Sequence, residues 1–323
     1  MRFFGKTYLP LLLGLMALSG CHSAIMSDLS DCPQYTAFMF DVRTMDDTSF
    51  PDSKIDDVRV FAFDENGKLV GEWTDTGVAF LPGYGLKTDY YRPGKTTFVS
   101  WAAKDLKKYD FSAFKAGADQ KDLLVFMAKQ AGKIEATAGH LYVGEPNAPF
   151  LEQLDRRGKG TFTDSVHITL SEITNRLSFV IDGLEAGHTY SLKFTSRNSR
   201  YDYKGTMLSD DTFEWTTGDL RQSPSRDGKS VTVSASYEIL KLSPDLRDGY
   251  LMQVFDETGR VVYAFDPLMD YILYGAADNP NVGKLDLVHD FSILINLRPS
   301  GETYMAVSAV INNWNIVFRD VNL

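Results

Sequence analysis

Alternation of apolar and polar residues is the sequence feature that most restricts the fold of this chain. Successive side chains of a strand point to opposite faces of a sheet, so alternation predicts strands with one buried face. β-Branched or aromatic residues recur at every second position in eight segments: Tyr35 to Val42, Val58 to Phe63, Thr96 to Ala102, Val166 to Leu170, Leu177 to Ile181, Val231 to Tyr237, Phe291 to Leu297 and Tyr304 to Ile311. A helical period is confined to Lys121 to Gln130 and Leu268 to Tyr274. The chain is therefore predicted to be mostly β, with one or two short helices.

A weak internal repeat indicates two domains of the same general kind. Residues 60–70, VFAFDENGKLV, align with residues 252–262, MQVFDETGRVV. Each copy is typical of a β-hairpin whose turn begins with an acidic residue and contains a left-handed glycine. The charged segment Arg156-Arg157-Gly158-Lys159-Gly160 has no alternation and marks a boundary. We therefore expect two antiparallel β-sandwich domains, residues 34–160 and 161–323.

The first 20 residues have the pattern of a lipoprotein signal peptide. Basic residues at positions 2 and 6 precede an apolar run that ends at residue 18, which is shorter than the roughly 20 residues of a spanning helix. The run closes with Leu18, Ser19, Gly20 and Cys21, a lipobox in which signal peptidase recognises the first three residues and the cysteine carries the lipid. Residues 21–33 are then a lipidated tether. An ordinary signal peptide with a chance cysteine is the alternative.

The mature chain is acidic and has one cysteine to spare. Loss of the signal peptide removes two positive charges, so the formal charge moves from −10 to −12. Such a charge argues against nucleic-acid binding and against adhesion through anionic lipid headgroups. Because lipid occupies Cys21, Cys32 has no partner within the chain. We expect Cys32 to be a small buried side chain, with a reactive thiol or an intermolecular bridge as alternatives.

Sequence motifs of catalysis are missing. The chain has no Gly-x-Ser-x-Gly, His-Glu-x-x-His or Cys-x-x-Cys motif and no phosphate-binding glycine loop, and its five histidines are scattered. We expect no enzymatic activity, no metal, no small-molecule substrate and no cofactor beyond the covalent lipid on Cys21. Four aromatic residues, Tyr84, Tyr90, Tyr91 and Trp101, either belong to the core or form a surface that binds sugar or a partner.

The C-terminal segment continues the alternation to the last residues of the sequence. Trp314, Ile316 and Phe318 fall on one face, and Val321 and Leu323 follow them. Such a segment either closes a sheet of its own domain or inserts as a strand into a neighbouring protein. In the second case backbone hydrogen bonds supply affinity and alternate side chains fill the groove of the acceptor.

Several patterns together resemble the anchor subunits of Bacteroidetes type V fimbriae, most closely those of minor (short) fimbriae. They are the lipobox, Asp31-Cys32-Pro33, the strand and turn at 58–67, the segment 168–180, and Ile311-Asn312-Asn313-Trp314. The resemblance implies two transthyretin-like β-sandwich domains, lipid anchoring in the outer membrane at the base of a fimbria, and a fimbrial shaft subunit as partner. It also implies that the protein limits fimbrial length.

The same resemblance implies how the subunits are joined. Shaft subunits of that family lose an N-terminal strand to an arginine-specific protease, which opens a groove for the C-terminal strand of another subunit. An anchor only needs to donate, so we expect it to retain Tyr35 to Val42 and to donate Met305 to Leu323. Cleavage at Arg43 would instead make it a shaft-like subunit. A different function is that of a surface lipoprotein that binds glycan or host protein through the loop from Leu81 to Pro93.

Overall fold

The structure is a computed structural model of the chain. It describes residues 32–43, 54–135, 137–156, 158–217, 219–225, 228–277, 285 and 288–317. The predicted signal peptide 1–20, the lipobox and most of the predicted tether 21–33 lie outside these residues. The described part is mostly β, which confirms the predicted fold class. The transthyretin-like detail stays a prediction.

The strands follow one another along the chain with few helical interruptions. Up to residue 172 the described strands are β1 Gln34–Arg43, β2 Asp57–Asp64, β3 Leu69–Thr76, β4 Gly85–Thr88, β5 Gly94–Ala103, β6 Tyr109–Asp110, β7 Leu124–Met127, β8 Lys133–Ile134, β9 Leu141–Pro146, β10 Leu151–Gln153 and β11 Phe162–Glu172. The later ones are β12 Thr174–Glu185, β13 Ser191–Ser196, β14 Arg200–Asp202, β15 Met207–Leu208, β16 Phe213–Trp215, β17 Arg221–Pro224, β18 Ser230–Leu240, β19 Leu251–Phe255, β20 Val261–Phe265, β21 Asp290–Ser300, β22 Thr303–Ile311 and β23 Trp314–Val317. The described helices are α1 Leu268–Ala277 and the short 3₁₀ turns Leu106–Lys108, Gln120–Asp122 and Pro244–Gly249.

Hydrogen bonding joins these strands into four sheets. An eight-stranded sheet has the order β3-β2-β5-β9-β11-β1-β4, with β10 also paired to β5, and a six-stranded sheet has the order β17-β18-β12-β21-β22-β23. The two smaller sheets are β20-β19-β13-β16-β8 and β15-β14-β7-β6. The sheets are not purely antiparallel, because β1 with β11, β12 with β21, and β16 with β8 are parallel pairs.

Alternation predicted the long strands correctly, and one of the two helices. All eight alternating segments are strands, and Leu268 to Tyr274 lies within α1. The predicted helix from Lys121 to Gln130 is wrong. This segment is a 3₁₀ turn followed by β7, in which Val125 and Met127 are buried on one face and the backbone pairs with β14. None of the helices in the described ranges is long and apolar enough to cross a membrane.

The two copies of the internal repeat form the same hairpin turn. In β2–β3 the amide of Gly67 donates to the carbonyl of Asp64, and in β19–β20 Gly259 donates to Asp256 in the same way. The carboxylate of each aspartate also accepts hydrogen bonds from backbone amides two and four residues later. Both glycines have positive φ, 71° and 82°, which L-residues with a Cβ rarely adopt. The predicted hairpins are confirmed.

The sheets divide the chain at a different place from the expected boundary at 160/161. The strand after that boundary, β11, pairs with β1 and β9 in the eight-stranded sheet, so the change of sheet falls at Ile173. The charged segment at 156–160 therefore falls between two strands of one sheet, β10 and β11. Alternation along a sequence does not show which strands pair.

Strands from the two halves of the chain also share sheets. Strands β6 and β7 pair in one sheet with β14 and β15, and β8 pairs with β16. One hydrophobic cluster accordingly contains buried residues of both halves, such as Trp101 and Leu177. A second cluster, which includes Phe38 and Phe98, lies within the eight-stranded sheet and its loops. The halves are thus joined by a shared apolar core.

Candidate functional site

Strand β1 lies inside the eight-stranded sheet. It pairs in parallel with β11 over ten residue pairs, from Gln34 with Phe162 to Arg43 with Ser171. On its other side it pairs antiparallel with β4 over four residue pairs, from Thr36 with Thr88 to Met39 with Gly85. The strand is therefore hydrogen-bonded on both sides.

The inward side chains of β1 form part of the core. Phe38 is fully buried, with its ring centroid 5.0 Å from that of Phe98 in an edge-to-face arrangement, and Phe40 stacks on Tyr84 at 5.7 Å. Thr36 is also fully buried, and its hydroxyl donates to the carbonyl of Tyr90 over 2.8 Å. Removing β1 would uncover the rings of Phe98 and Tyr84 and leave the backbone groups of β11 and β4 that face β1 without partners. The sheet thus contains a groove that the protein's own first strand fills.

The described chain begins just before this strand. Cys32 is a free thiol that is half-buried, so the expectation that it is fully buried is wrong. The residue precedes the strand and is only partly covered. The amide group of Gln34 donates to the carbonyl of Gly160, which fixes the start of β1 beside the loop that leads into β11. Arg43, at the other end of the strand, is exposed, and residues 44–53 lie outside the described part.

A tight hairpin forms the C-terminal edge of the six-stranded sheet. Asn312 and Asn313 both have positive φ, 47° and 71°, as a two-residue hairpin turn of type I′ requires. The side chain of Asn312 donates to the carbonyl of Asp290 and accepts from the amide of Ser292, so the turn is fixed to β21. Strand β23 then pairs with β22 over four residue pairs, from Ile311 with Trp314 to Ser308 with Val317.

Within the described residues, pairing along the outer side of β22 ends at Ser308. No strand in the described ranges pairs with the outer side of β22 from Thr303 to Val307. Met305 and Val307 on this stretch are 40% and 39% exposed, an unusual position for large apolar side chains on a strand. An unpaired strand edge with exposed apolar side chains is a template for a further strand.

The structure gives only a partial account of the predicted donor residues. Trp314 and Ile316 lie in β23, whose backbone pairs with β22, so this part of the segment closes its own sheet. Phe318, Val321 and Leu323 lie outside the described residues, as do Leu18, Ser19, Gly20 and Cys21. The roles predicted for all of these residues stay predictions.

An ionic cluster around the buried carboxylate of Glu172 connects the two large sheets. Glu172, the last residue of β11, lies 2.7 Å from Arg176 of β12 and 2.8 Å from Nδ1 of His140. Thr174 also donates its hydroxyl to this carboxylate over 3.0 Å. Arg176 in turn donates to Asp290 at the start of β21. The cluster therefore fixes the turn from the eight-stranded sheet into the six-stranded sheet.

The cluster holds Glu172 in its charged form. Burial raises the pKa of Glu172, but the hydrogen bond with His140 and the positive charges of His289 and Arg176 outweigh it and lower that pKa to about 2. The nearby His289 is half-buried, and burial lowers its pKa. Sequence reasoning missed this cluster, since the only local signal was the spacing of a Glu and an Arg on either side of Ile173.

The described residues offer little for chemistry. No group of three or more His, Cys, Asp or Glu side chains within them is arranged to hold a metal ion. Three of the four aromatic residues of uncertain role point into the core: Trp101 is fully buried, Tyr84 packs on Phe80, and Tyr90 packs on Trp73. The candidate functional features are therefore two strands: β1, which is enclosed in a sheet, and β23, which lies at a sheet edge in the described part of the chain.

These features define a β-rich structural protein whose two terminal strands occupy different environments. The sequence profile of the family described as Mfa2, fimbrillin-A associated anchor proteins Mfa1 and Mfa2, matches residues 29–320. The chain belongs to this family of fimbrial anchor proteins, which confirms the resemblance found in the sequence.

Individual relatives match over nearly the whole chain. The minor fimbrium anchoring subunit Mfa2 of Porphyromonas gingivalis is 24% identical over 321 residues, which cover 98% of this chain and 95% of that protein. The solved structure of the fimbrial anchor protein Mfa2 from Porphyromonas gingivalis has a TM-score of 0.73 and 21% identity, covering 89% of this chain and 100% of that one. A Bacteroides thetaiotaomicron protein described as a candidate polysaccharide-binding protein has a TM-score of 0.69 and 18% identity, covering 91% and 100%. The structural matches establish a shared fold.

Proposed function

We propose that this protein is the base subunit of a fimbria, held in the outer membrane by lipid on Cys21. In this role it joins the fimbrial shaft to the membrane by donating its C-terminal strand to a shaft subunit, and growth stops when it is incorporated. Family membership supports a role as a structural anchor rather than as an enzyme. The lipobox supports cleavage after residue 20, with 21–33 as the tether.

The observation that carries this proposal is the contrast between the first and last strands. Strand β1 is bonded over ten residue pairs on one side and four on the other, whereas β23 has, among the described residues, four pairs on one side only. An enclosed strand leaves no groove for a neighbour, whereas an edge strand offers free backbone groups. The arrangement fits a subunit whose first-strand groove is already filled and which meets a neighbouring subunit at its C-terminal edge.

The course of the chain supports a connecting role. It enters the fold at Gln34 beside Phe162, at the start of β11, and only Ile173 separates β11 from β12. It leaves β23 at Val317, which pairs with Ser308 of β22. Across the sheet, Ser308 pairs with Asn296 of β21, and Asn296 pairs with Asp182 of β12. Entry and exit are therefore about 20 residues apart along β11 and β12. Membrane and shaft would be held at opposite ends of this path.

Deletion of residues 314–323 tests strand donation. We expect the truncated protein to be lipidated and folded, because β23 contributes only an edge, while fimbriae are released into the medium. The matched control is Leu220→Ser, which removes an exposed apolar side chain beside β17, the opposite edge of the same sheet. Fimbriae that stay attached to cells carrying a folded truncated protein would rule out donation by this segment.

Retention of the first strand can be checked on the same cells. Intact-mass analysis of the protein purified from membranes should show a single uncleaved chain that begins with acylated Cys21 and still contains β1. A mature form that starts after Arg43 would show a cleaved, shaft-like subunit instead.

The alternative is a surface lipoprotein that binds glycan or host protein. For such a lipoprotein the candidate ligand site is a cleft of about 430 Å³ beside β22, whose lining includes His188, Tyr190, Glu257 and Tyr304. The hydroxyl groups of Tyr190 and Tyr304 lie 2.9 Å apart there. Glycan-array binding that Tyr304→Phe weakens, with no effect of gene deletion on fimbriae, would favour this function over anchoring.

A further inference from the structure

We propose that one end of the eight-stranded sheet docks on the lipid headgroups of the membrane that holds the lipidated cysteine. This inference rests on the lipid anchor of the proposed function and adds a binding surface to it. The surface, called the tether end, is the end at which β1, β5 and β11 begin, at Gln34, Gly94 and Phe162. These starts share one end because β1 is parallel to β11, while β9 is antiparallel to both β11 and β5.

The tether end exposes large apolar side chains. Phe162 is 37% exposed beside the first residue of β1, Leu154 is 63% exposed just after β10, and Phe150 is 38% exposed just before it. Strand β10 runs antiparallel to β5, from Leu151 opposite Thr96 to its end opposite Gly94. The three side chains thus lie within about three strand residues of the same end, roughly 10 Å.

Cations accompany the aromatic rings at this end. The ammonium of Lys87 lies 3.8 Å from the centroid of the Tyr35 ring, and that of Lys95 lies 4.6 Å from the Phe150 ring. Neither lysine has an ion-pair partner among the described residues. The guanidinium of Arg156 lies 5.0 Å from the Phe162 ring. Rings and long basic side chains together are typical of surfaces that meet the membrane interface, because each has an apolar body and a polar tip.

Net charge favours this orientation. The described residues of segments 87–95 and 150–164 include five basic and four acidic side chains, although the whole chain has a formal charge of −10. Anionic headgroups repel most of the molecule but not this end. The general argument from acidity against headgroup contact therefore does not apply here.

The length of the tether makes weak docking sufficient. Gln34 follows Cys21 by only 13 positions, and the chain enters the fold at the tether end itself. A fully extended tether of this length spans at most about 45 Å. A short tether converts docking into an intramolecular event with an effective concentration on the order of millimolar. The membrane is thus the surface that the tether end meets most often.

A site-specific reporter in the lipidated full-length chain tests this inference. In a Cys32→Ser background, Leu154→Cys is labelled with an environment-sensitive fluorophore, and the protein is reconstituted in phosphatidylethanolamine and phosphatidylglycerol vesicles with nitroxide-labelled headgroups. The matched control is Leu81→Cys, another exposed leucine, which lies in the loop before β4 at the opposite end of β1. We expect strong quenching at position 154 and little at position 81.

A second variant tests which side chains are responsible. This variant replaces Phe150, Leu154 and Phe162 by Ser, and we take each of the three side chains to bury about one methylene group on docking. The full set of three serines, read with a reporter at Thr161→Cys, should lower the docked-to-undocked ratio roughly sixty-fold, about fourfold per side chain. Unfolding of the variants is checked by circular dichroism.

The possible results separate this inference from the anchor proposal. Equal quenching at positions 154 and 81, or none at 154 in a protein that stays on vesicles, would overturn docking and leave lipid anchoring intact. If the fluorophore at position 154 is shielded from solvent in the absence of vesicles, protein covers the tether end instead. That result would also overturn the docking inference. A protein that does not stay on vesicles at all would contradict the anchor itself.

Discussion

Truncation of Phe38 tests whether the first strand is an integral part of the core. The side chain is fully buried, its ring lies 5.0 Å from Phe98 and 6.0 Å from Trp73, and its backbone is paired on both sides. Replacing a buried Phe by Ala costs about 3–5 kcal/mol, which includes the lost ring contacts and the cavity left behind. We therefore expect Phe38→Ala to lower the free energy of unfolding by about 4 kcal/mol.

Urea denaturation of the mature chain without its lipid measures this loss. With a denaturant slope of about 2 kcal/mol per molar, the midpoint should fall by about 2 M. Trp73 is a suitable fluorescence reporter because its ring contacts Phe38. The matched control is Asp41→Ala, an exposed position on the same strand, which should change the stability by less than about 0.5 kcal/mol. Equal effects of the two substitutions would refute the conclusion that β1 is a core strand.

Two further predictions concern the six-stranded sheet and its junction. The pKa of Glu172 lies at about 2 in the fold against an ordinary 4.5, so its stabilising contribution is present above pH 4.5 and disappears as the pH falls towards 2. Wild-type protein should lose about 3 kcal/mol of stability over that range, and Glu172→Gln, compared by urea midpoints at pH 6 and pH 3, should lack this part of the loss. Gly183 and Gly187 both have φ of 90°, but only at Gly183 would a Cβ meet backbone, 2.1 Å from the carbonyl oxygen of Leu297. Gly187→Ala should cost roughly 1–2 kcal/mol from backbone conformation alone, and Gly183→Ala clearly more; equal thermal midpoints would contradict this.

Sequence predicted the strands well because the signal of a half-buried strand is local. In β1 the buried residues Thr36, Phe38 and Phe40 alternate with more exposed ones, and each such face can be recognised without knowledge of its partner. The hairpins of the repeat were equally predictable from sequence, since the aspartate and the glycine of each turn are only three positions apart.

Pairing between distant segments could not be predicted in the same way. Val125 and Met127 belong to a strand because β14 lies beside them, about 75 residues later, and the short run looked helical without that partner. The place where the chain changes sheet could not be predicted for the same reason, because only pairing with β1 shows that β11 belongs to the eight-stranded sheet. The ionic cluster of Glu172 depends on His140, which is 32 residues away.

The most direct test of the account is replacement of the predicted lipidated residue. Cells that produce the Cys21→Ala variant are fractionated, and the protein and the fimbriae are measured in the membrane and in the medium. If lipid on Cys21 holds the base of the fimbria, both should leave the membrane fraction together while the protein remains folded. A variant that still fractionates with membranes and keeps its fimbriae on cells would contradict the account.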